Sequence, residues 1–127
     1  MERTFIDTNV IVYADDRAAG DKGERARALL QELMSSRTGV ISLQVLQEYF
    51  VVATRKLGVP AEVARRKIEL LSTFDVVRPD VTDVLSAIDL TRLHSISFWD
   101  AMIVRAAENA GCSVLLSEDL SDGEIIS

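Results

Sequence analysis

The chain has one cysteine, one histidine, two prolines and six glycines among its 127 residues, and only 6% of its side chains are aromatic. A lone thiol, Cys112, excludes an internal disulfide and any zinc site built from several cysteines, and it fits a reducing compartment. With His94 the only imidazole, His-centred catalysis is a poor reading, and that residue is expected at a helix end or on the surface. No apolar run approaches the roughly 18 residues that a membrane span needs. The start, Met1 to Asp7, is broken by polar residues within a few positions, unlike a secretory leader. A cytoplasmic protein without membrane association is expected. Internal repeats, low-complexity tracts and linkers are also missing, so residues 1–127 are read as a single domain, inside the usual span of roughly 100–200 residues.

Apolar residues are plentiful, at 48% of the chain, and the mean hydropathy is +0.16. That is greasy for a small domain and implies that another chain covers part of the surface, as in a homodimer or a partner complex. The net charge of −6, from 14 basic and 20 acidic residues, sets the whole-molecule field against a phosphate backbone. Without four of the 20 acids the balance against 14 bases would be −2. If those four share one pocket with a bound divalent cation, the charge argues only weakly against a nucleic-acid substrate.

Periodicity gives an alternation of strands and helix pairs. Thr4-Phe5-Ile6, Gly39-Val40-Ile41-Ser42, Phe74-Asp75-Val76-Val77 and Ser113-Val114-Leu115-Leu116 read as strands. A compact helical turn follows from Asn9 to Ala14. Asp21 and Glu24 have capping-box spacing ahead of a helix with Ala26, Leu29, Leu30, Leu33 and Met34 on one face. Ser42 caps a helix predicted over Leu43 to Leu57, stopping at Gly58, and Pro60 opens the next. Asp80 and Asp83 start another, and Ser97 and Asp100 precede the last, from Ala101 to Ala110. The β-α-α-β-α-α-β-α-α-β order leaves crossovers long enough for parallel strands, which predicts a three-layer α/β/α domain with a short central parallel sheet. The chain stops, after Asp122-Gly123-Glu124-Ile125-Ile126-Ser127, as though a strand were about to begin, so the last C-terminal strand is expected to be missing.

Four acids, Asp7, Glu48, Asp100 and Asp119, lie near the expected carboxyl ends of strands, where open parallel sheets bind ligands. Each has an ordinary explanation. Asp7 suits an Asx-turn or helix N-cap at a strand exit. Asp100 completes a Ser97-x-x-Asp100 capping box, and Asp119 reads as solvated loop beside Glu118 and Asp122. Glu48 is the hardest to dismiss, because Val45, Val51 and Val52 are its helical neighbours and an uncompensated charge there is costly. It needs a metal or a structural partner such as an arginine. Together, carboxylates without His or Cys describe a hard-cation site suited to Mg²⁺ or Mn²⁺.

The segments Asp7-Thr8-Asn9, Glu48 on a long helix, Phe98-Trp99-Asp100-Ala101 and Ser117-Glu118-Asp119 resemble, in order and approximate spacing, the PIN-domain nucleases, and most closely the VapC-type toxins of toxin–antitoxin pairs. The resemblance spans nearly the whole chain and implies a PIN-like fold and a Mg²⁺- or Mn²⁺-dependent endoribonuclease. It implies that Asp7, Asp100 and Asp119 bind metal directly or through water, and that Glu48 completes the site or orients the attacking water. Thr8, Asn9 and Ser117 would supply hydrogen bonds to these ligands, with Asp122 an accessory acid. It further implies an RNA substrate, a homodimer, and a cognate antitoxin that covers the groove.

Other readings compete. A haloacid-dehalogenase-type phosphatase needs an acid two positions after its nucleophile, but Asn9 stands there. A phosphoacceptor receiver wants an Asp after the third strand, and Asp80 follows Pro79 in another setting. A PIN-like module that binds RNA or a partner without cutting is the non-enzymatic alternative. Arg55, Lys56, Arg65, Arg66 and Lys67 read as a solvated helical face rather than a phosphate-contacting one, and Trp99 as packing in a core or interface rather than a base-stacking platform.

Overall fold

A computed structural model describes residues 2–117 and the backbone of residues 124–125. Its elements in chain order are β1 (Thr4–Ile6), α1 (Thr8–Asp15), a 3₁₀ turn (Arg17–Ala19), α2 (Asp21–Ser36), β2 (Gly39–Ser42), α3 (Leu43–Arg55), α4 (Ala61–Leu71), β3 (Asp75–Val77), α5 (Val81–His94), α6 (Phe98–Asn109), β4 (Val114–Leu116) and β5 (Glu124–Ile125). The strands lie in the order β3-β2-β1-β4-β5. The first four are mutually parallel and β5 runs antiparallel to β4. Every residue of β1 and β2 is buried, as expected of parallel strands covered by helices on both faces. The α/β fold read from the sequence is present.

The main core gathers Phe5, Ile6, Ile11, Val40, Ile41, Val45, Tyr49 and Leu71 from both sides of the sheet, and a smaller cluster of Ala87, Ala101 and Met102 joins α5 to α6. Gly39 opens β2 where no side chain fits, since a Cβ there would lie 2.5 Å from the Phe74 ring. Two charged networks fasten helices to one another. The Tyr49 hydroxyl and the Lys67 ammonium (3.1 Å) both donate to Asp15, tying α3 and α4 to the end of α1. Buried Asp83 exchanges capping-box bonds with Asp80 and accepts from Arg105 (3.1 Å) and Asn109 of α6.

Three local expectations need correction, and the sheet carries one strand beyond the four read as strands. Glu124–Ile125 adds to the free edge of β4, whose outward N–H and C=O groups need partners. Helix α3 stops at Arg55, earlier than the Leu57 predicted, because the chain turns through Gly58 at φ 67° and Val59 N–H bonds back to the Ala53 carbonyl. Asp21 is not a cap. Gly20, at φ 58°, makes the break, and Asp21 and Glu24 lie inside the first turn of α2, where they complement the helix dipole. Trp99 is not in the core, being 61% exposed with its ring edge-on to Phe98. His94, at the exposed end of α5, is where it was expected.

Asp83→Ala leaves Arg105 and Asn109 without their shared acceptor and removes the α5 capping box. It should destabilise the protein by about 2–3 kcal/mol at neutral pH. Bonds from the Asp80 backbone, Asn109 and Arg105 hold the Asp83 carboxyl below its ordinary value of 3.8. This stabilisation is therefore present above 3.8 and is lost as pH falls through the depressed folded value. Urea unfolding at pH 7 and pH 3 should show the gap between wild type and variant shrinking on acidification.

Candidate metal centre

Chain direction in the sheet reverses at β1. From there the chain builds β2 and β3 to one side, then returns to place β4 on the other. The crevice outside the carboxyl ends of β1 and β4 is the topological switch point, where α/β sheets take ligands. Ile6 and Leu116 are in register there, and Asp7 N–H bonds to the Leu116 carbonyl at 3.0 Å. Asp7 and Ser117, one residue further along each strand, are thus level. Ser117 Oγ donates to Asp7 Oδ2 at 3.0 Å, while Thr8 N–H donates to Oδ1 at 2.7 Å as Asp7 caps α1. The ordinary capping role and the site role fall on the same carboxylate.

Glu48 approaches from α3, half-buried. Thr8 Oγ1 donates to its Oε1 at 2.7 Å, and Gln44 Nε2 to its Oε2 at 3.3 Å. The partner that its apolar neighbours demanded is thus a pair of neutral donors. Only Val45 of the three valines is fully buried; Val51 is exposed at 46%, which leaves the carboxylate facing a cleft rather than the core.

Asp100 lies in the first turn of α6. Ser97 Oγ accepts from its N–H at 3.0 Å, but the return half of the expected capping box is not formed among the described residues. Its exposed carboxylate is left to the cleft.

Asp7, Thr8, Asn9, Gln44, Glu48, Trp99 and Asp100 line one cleft of ≈ 480 Å³, with Val51, Val52 and Ile103 as apolar wall. Burial pushes the Asp7 carboxyl above its ordinary value of 3.8; the bonds from Thr8 and Ser117 oppose this, and the nearby charges of Glu48 and Asp100 push it further up. Glu48 and Asp100 are therefore close enough for their charges to act on Asp7. Asp119 and Asp122 lie outside the described residues. Among the described residues no group of three or more acids closes into a cage. The donor set still fits a hard cation, because Mg²⁺ is commonly held by one or two carboxylates and keeps several waters. Asp7 and Asp100 suit that arrangement, with Glu48 beside them. Gln44 escaped the sequence reading, although its place four residues before Glu48 on one helix face was a signal.

A buried parallel sheet with carboxylates at its switch point defines an acidic α/β domain, and the PIN domain family model matches residues 4–121. The chain belongs to the PIN-domain family. Its fold is similar to a toxin–antitoxin complex from Klebsiella pneumoniae (21% identity, 94% of this chain and 88% of that one, TM-score 0.70). It is also similar to Mycobacterium tuberculosis VapC20, described as a sarcin-ricin-loop-cleaving toxin (22%, 91% and 91%, TM-score 0.71). A third likeness is to VapBC2 from Rickettsia felis bound to a promoter DNA fragment (22%, 93% and 88%, TM-score 0.66). No curated protein sequence matches the chain.

The raised Asp7 value carries a stability consequence. On acidification the native protein takes up this proton before the unfolded chain does. The cost of the charge is therefore full above the folded value and gone below the unfolded 3.8. In EDTA at pH 7.5, Asp7→Asn, which keeps an acceptor for Thr8 N–H, should raise the melting temperature by about 3 °C. The gain should fade as pH approaches 4. Melting curves across that range check both statements.

Proposed function

We propose that the cleft binds Mg²⁺ or Mn²⁺ and hydrolyses RNA phosphodiester bonds, and that the protein is the toxin of a type II toxin–antitoxin pair. The observation that carries this is the convergence of Asp7, Glu48 and Asp100 on one cleft, where burial, with the charges of the other two acids, raises the Asp7 carboxyl. Family membership and the toxin neighbours support it.

On this reading Asp7 and Asp100 hold the cation, joined by Asp119 from outside the described residues, with Asp122 as an accessory acid. When bound, the cation supplies positive charge to the phosphate oxygens and acidifies a coordinated water. Glu48 completes the surroundings of the same cation, orients the attacking water and takes up its proton. Each of its oxygens receives one described hydrogen bond and keeps a further lone pair for that task. Ser117 and the Thr8 N–H fix the Asp7 carboxylate. Asn9 lines the approach.

The partners proposed are a cognate antitoxin, which covers the groove, and a second copy of the chain. Exposed Val81, Leu85 and Ile88 on α5 and Phe50 and Val51 on α3 provide apolar surface for such contacts. Among the described residues no helix is long and apolar enough to cross a membrane, which suits a cytoplasmic setting.

Purified protein supplied with Mn²⁺ or Mg²⁺ should cut structured RNA. EDTA should abolish cutting, and Asp100→Asn should reduce it by about 100-fold or more. Cleavage that survives EDTA, or persists undiminished in D100N, would sink the assignment. Bound Mn²⁺ and bound RNA without any cutting would favour a binding module.

A further inference from the structure

We propose that Gln44 is a positioning residue that fixes Glu48 relative to the α6 turn bearing Asp100, and so sets the cation affinity of the cleft. This rests on the cation-binding reading above. Gln44 is 9% exposed, and its single amide nitrogen lies 3.3 Å from Glu48 Oε2 and 3.3 Å from the Trp99 carbonyl oxygen. The two amide hydrogens can serve both acceptors at once. Trp99 directly precedes Asp100 in the first turn of α6. Among the described residues, Gln44 to Trp99 is the one hydrogen bond that joins α3 to α6. The walls of the cleft that carry Glu48 and Asp100 are thus pinned to each other through one side chain.

The chemistry of that side chain is suited to the task. A lysine or arginine in its place would orient Glu48 by neutralising it, and would compete with any cation for the same carboxylate. An amide donates without a formal charge, so Glu48 is held at Oε2 by Gln44 and at Oε1 by Thr8 while its full charge stays available. Carboxylates that repel one another would otherwise swing apart in the cation-free protein. A link from α3 to α6 resists that separation and leaves less reorganisation to accompany cation binding. Ser42 caps α3 just ahead, accepting from Val45 N–H at 3.3 Å, so the backbone under Gln44 is fixed as well.

Calorimetric titration with MnCl₂ alone tests this without any RNA. Gln44→Met, close in shape but unable to donate, should weaken Mn²⁺ binding about 10-fold or more while the protein still melts cooperatively. Gln44→Asn keeps an amide that reaches at most one of the two acceptors. It should weaken binding too, and it carries the same test if the methionine variant does not fold.

A purely structural effect would add independently to other changes, whereas a residue acting through Glu48 and Asp100 would not. Q44M should therefore cost less than about 3-fold more in a Glu48→Gln or an Asp100→Asn background. Wild-type affinity in both Gln44 variants, or full additivity in either background, overturns the assignment. Wild-type protein that takes up no Mn²⁺ overturns the cation reading itself, and this inference with it.

Discussion

A half-buried carboxylate at the end of a buried sheet, Asp7, with the charges of Glu48 and Asp100 beside it, is the constraint around which this structure is arranged. Burial and those neighbouring charges raise its carboxyl above the ordinary value and oppose folding. The described ion pairs could have relieved this, yet they lie elsewhere, at Arg3–Asp75, Arg65–Glu69, Lys67–Asp15 and Arg105–Asp83. The cleft acids receive donors without charge: the Thr8 N–H and the Ser117 hydroxyl on Asp7, the Thr8 hydroxyl and the Gln44 amide on Glu48. Lys67 and Arg105 spend their charge joining helices, and no described ion pair neutralises an acid of the cleft.

Thr8 shows how closely fold and site are joined. Its N–H bonds to Asp7 as α1 begins, and its hydroxyl bonds to Glu48 on α3, so one buried residue links the exit of β1 to the third helix. The Asp15–Tyr49–Lys67 network at the far end of α1 fixes the same two helices a second time. Tyr49 directly follows Glu48 and is almost fully buried. Rotation of α3 about its axis, which would swing Glu48 out of the cleft, would have to break both attachments. Precision in the placement of Glu48 therefore comes from helix anchoring on either side of it as much as from its immediate bonds.

Strand positions were legible in the sequence because buried parallel strands are short apolar runs, and three of the four predicted runs, Thr4–Ile6, Gly39–Ser42 and Ser113–Leu116, supply the strands at the centre of the sheet. Serine and aspartate caps were legible where the side chain does the capping, at Ser42, Asp80 and Ser97. The start of α2 was not, since a glycine at positive φ ended the preceding turn and the acid pattern next to it served the helix dipole instead. Asp7, Glu48 and Asp100 were legible as a group through their position after apolar runs. How Glu48 is held was not. Gln44, one helical turn away, left an i, i+4 signal that went unread, whereas Thr8 is 40 residues away, and no local pattern says which uncharged side chain will face a carboxylate across a fold. Trp99 was read as packing in a core or interface because a large aromatic normally signals burial; it is not in the core, lying instead in the first turn of α6 beside an open cleft.

The charge balance bears on how a phosphate could enter. A chain of net charge −6, with three of its 20 acids at one cleft, would repel a polyanion where the proposed chemistry takes place. Of the most basic stretch, Lys67 is bound to Asp15 and Arg65 to Glu69, so these two charges are largely committed to the scaffold. Arg55 lies three residues beyond Val52, on the continuation of the helix face that lines the cleft, and is exposed at the end of α3. On the proposed reading it would face a phosphate backbone near the cleft, but a single arginine does not offset three carboxylates. A divalent cation seated among the acids would make the cleft attractive to a phosphate, and the neutral donors around Asp7 and Glu48 leave that place to it.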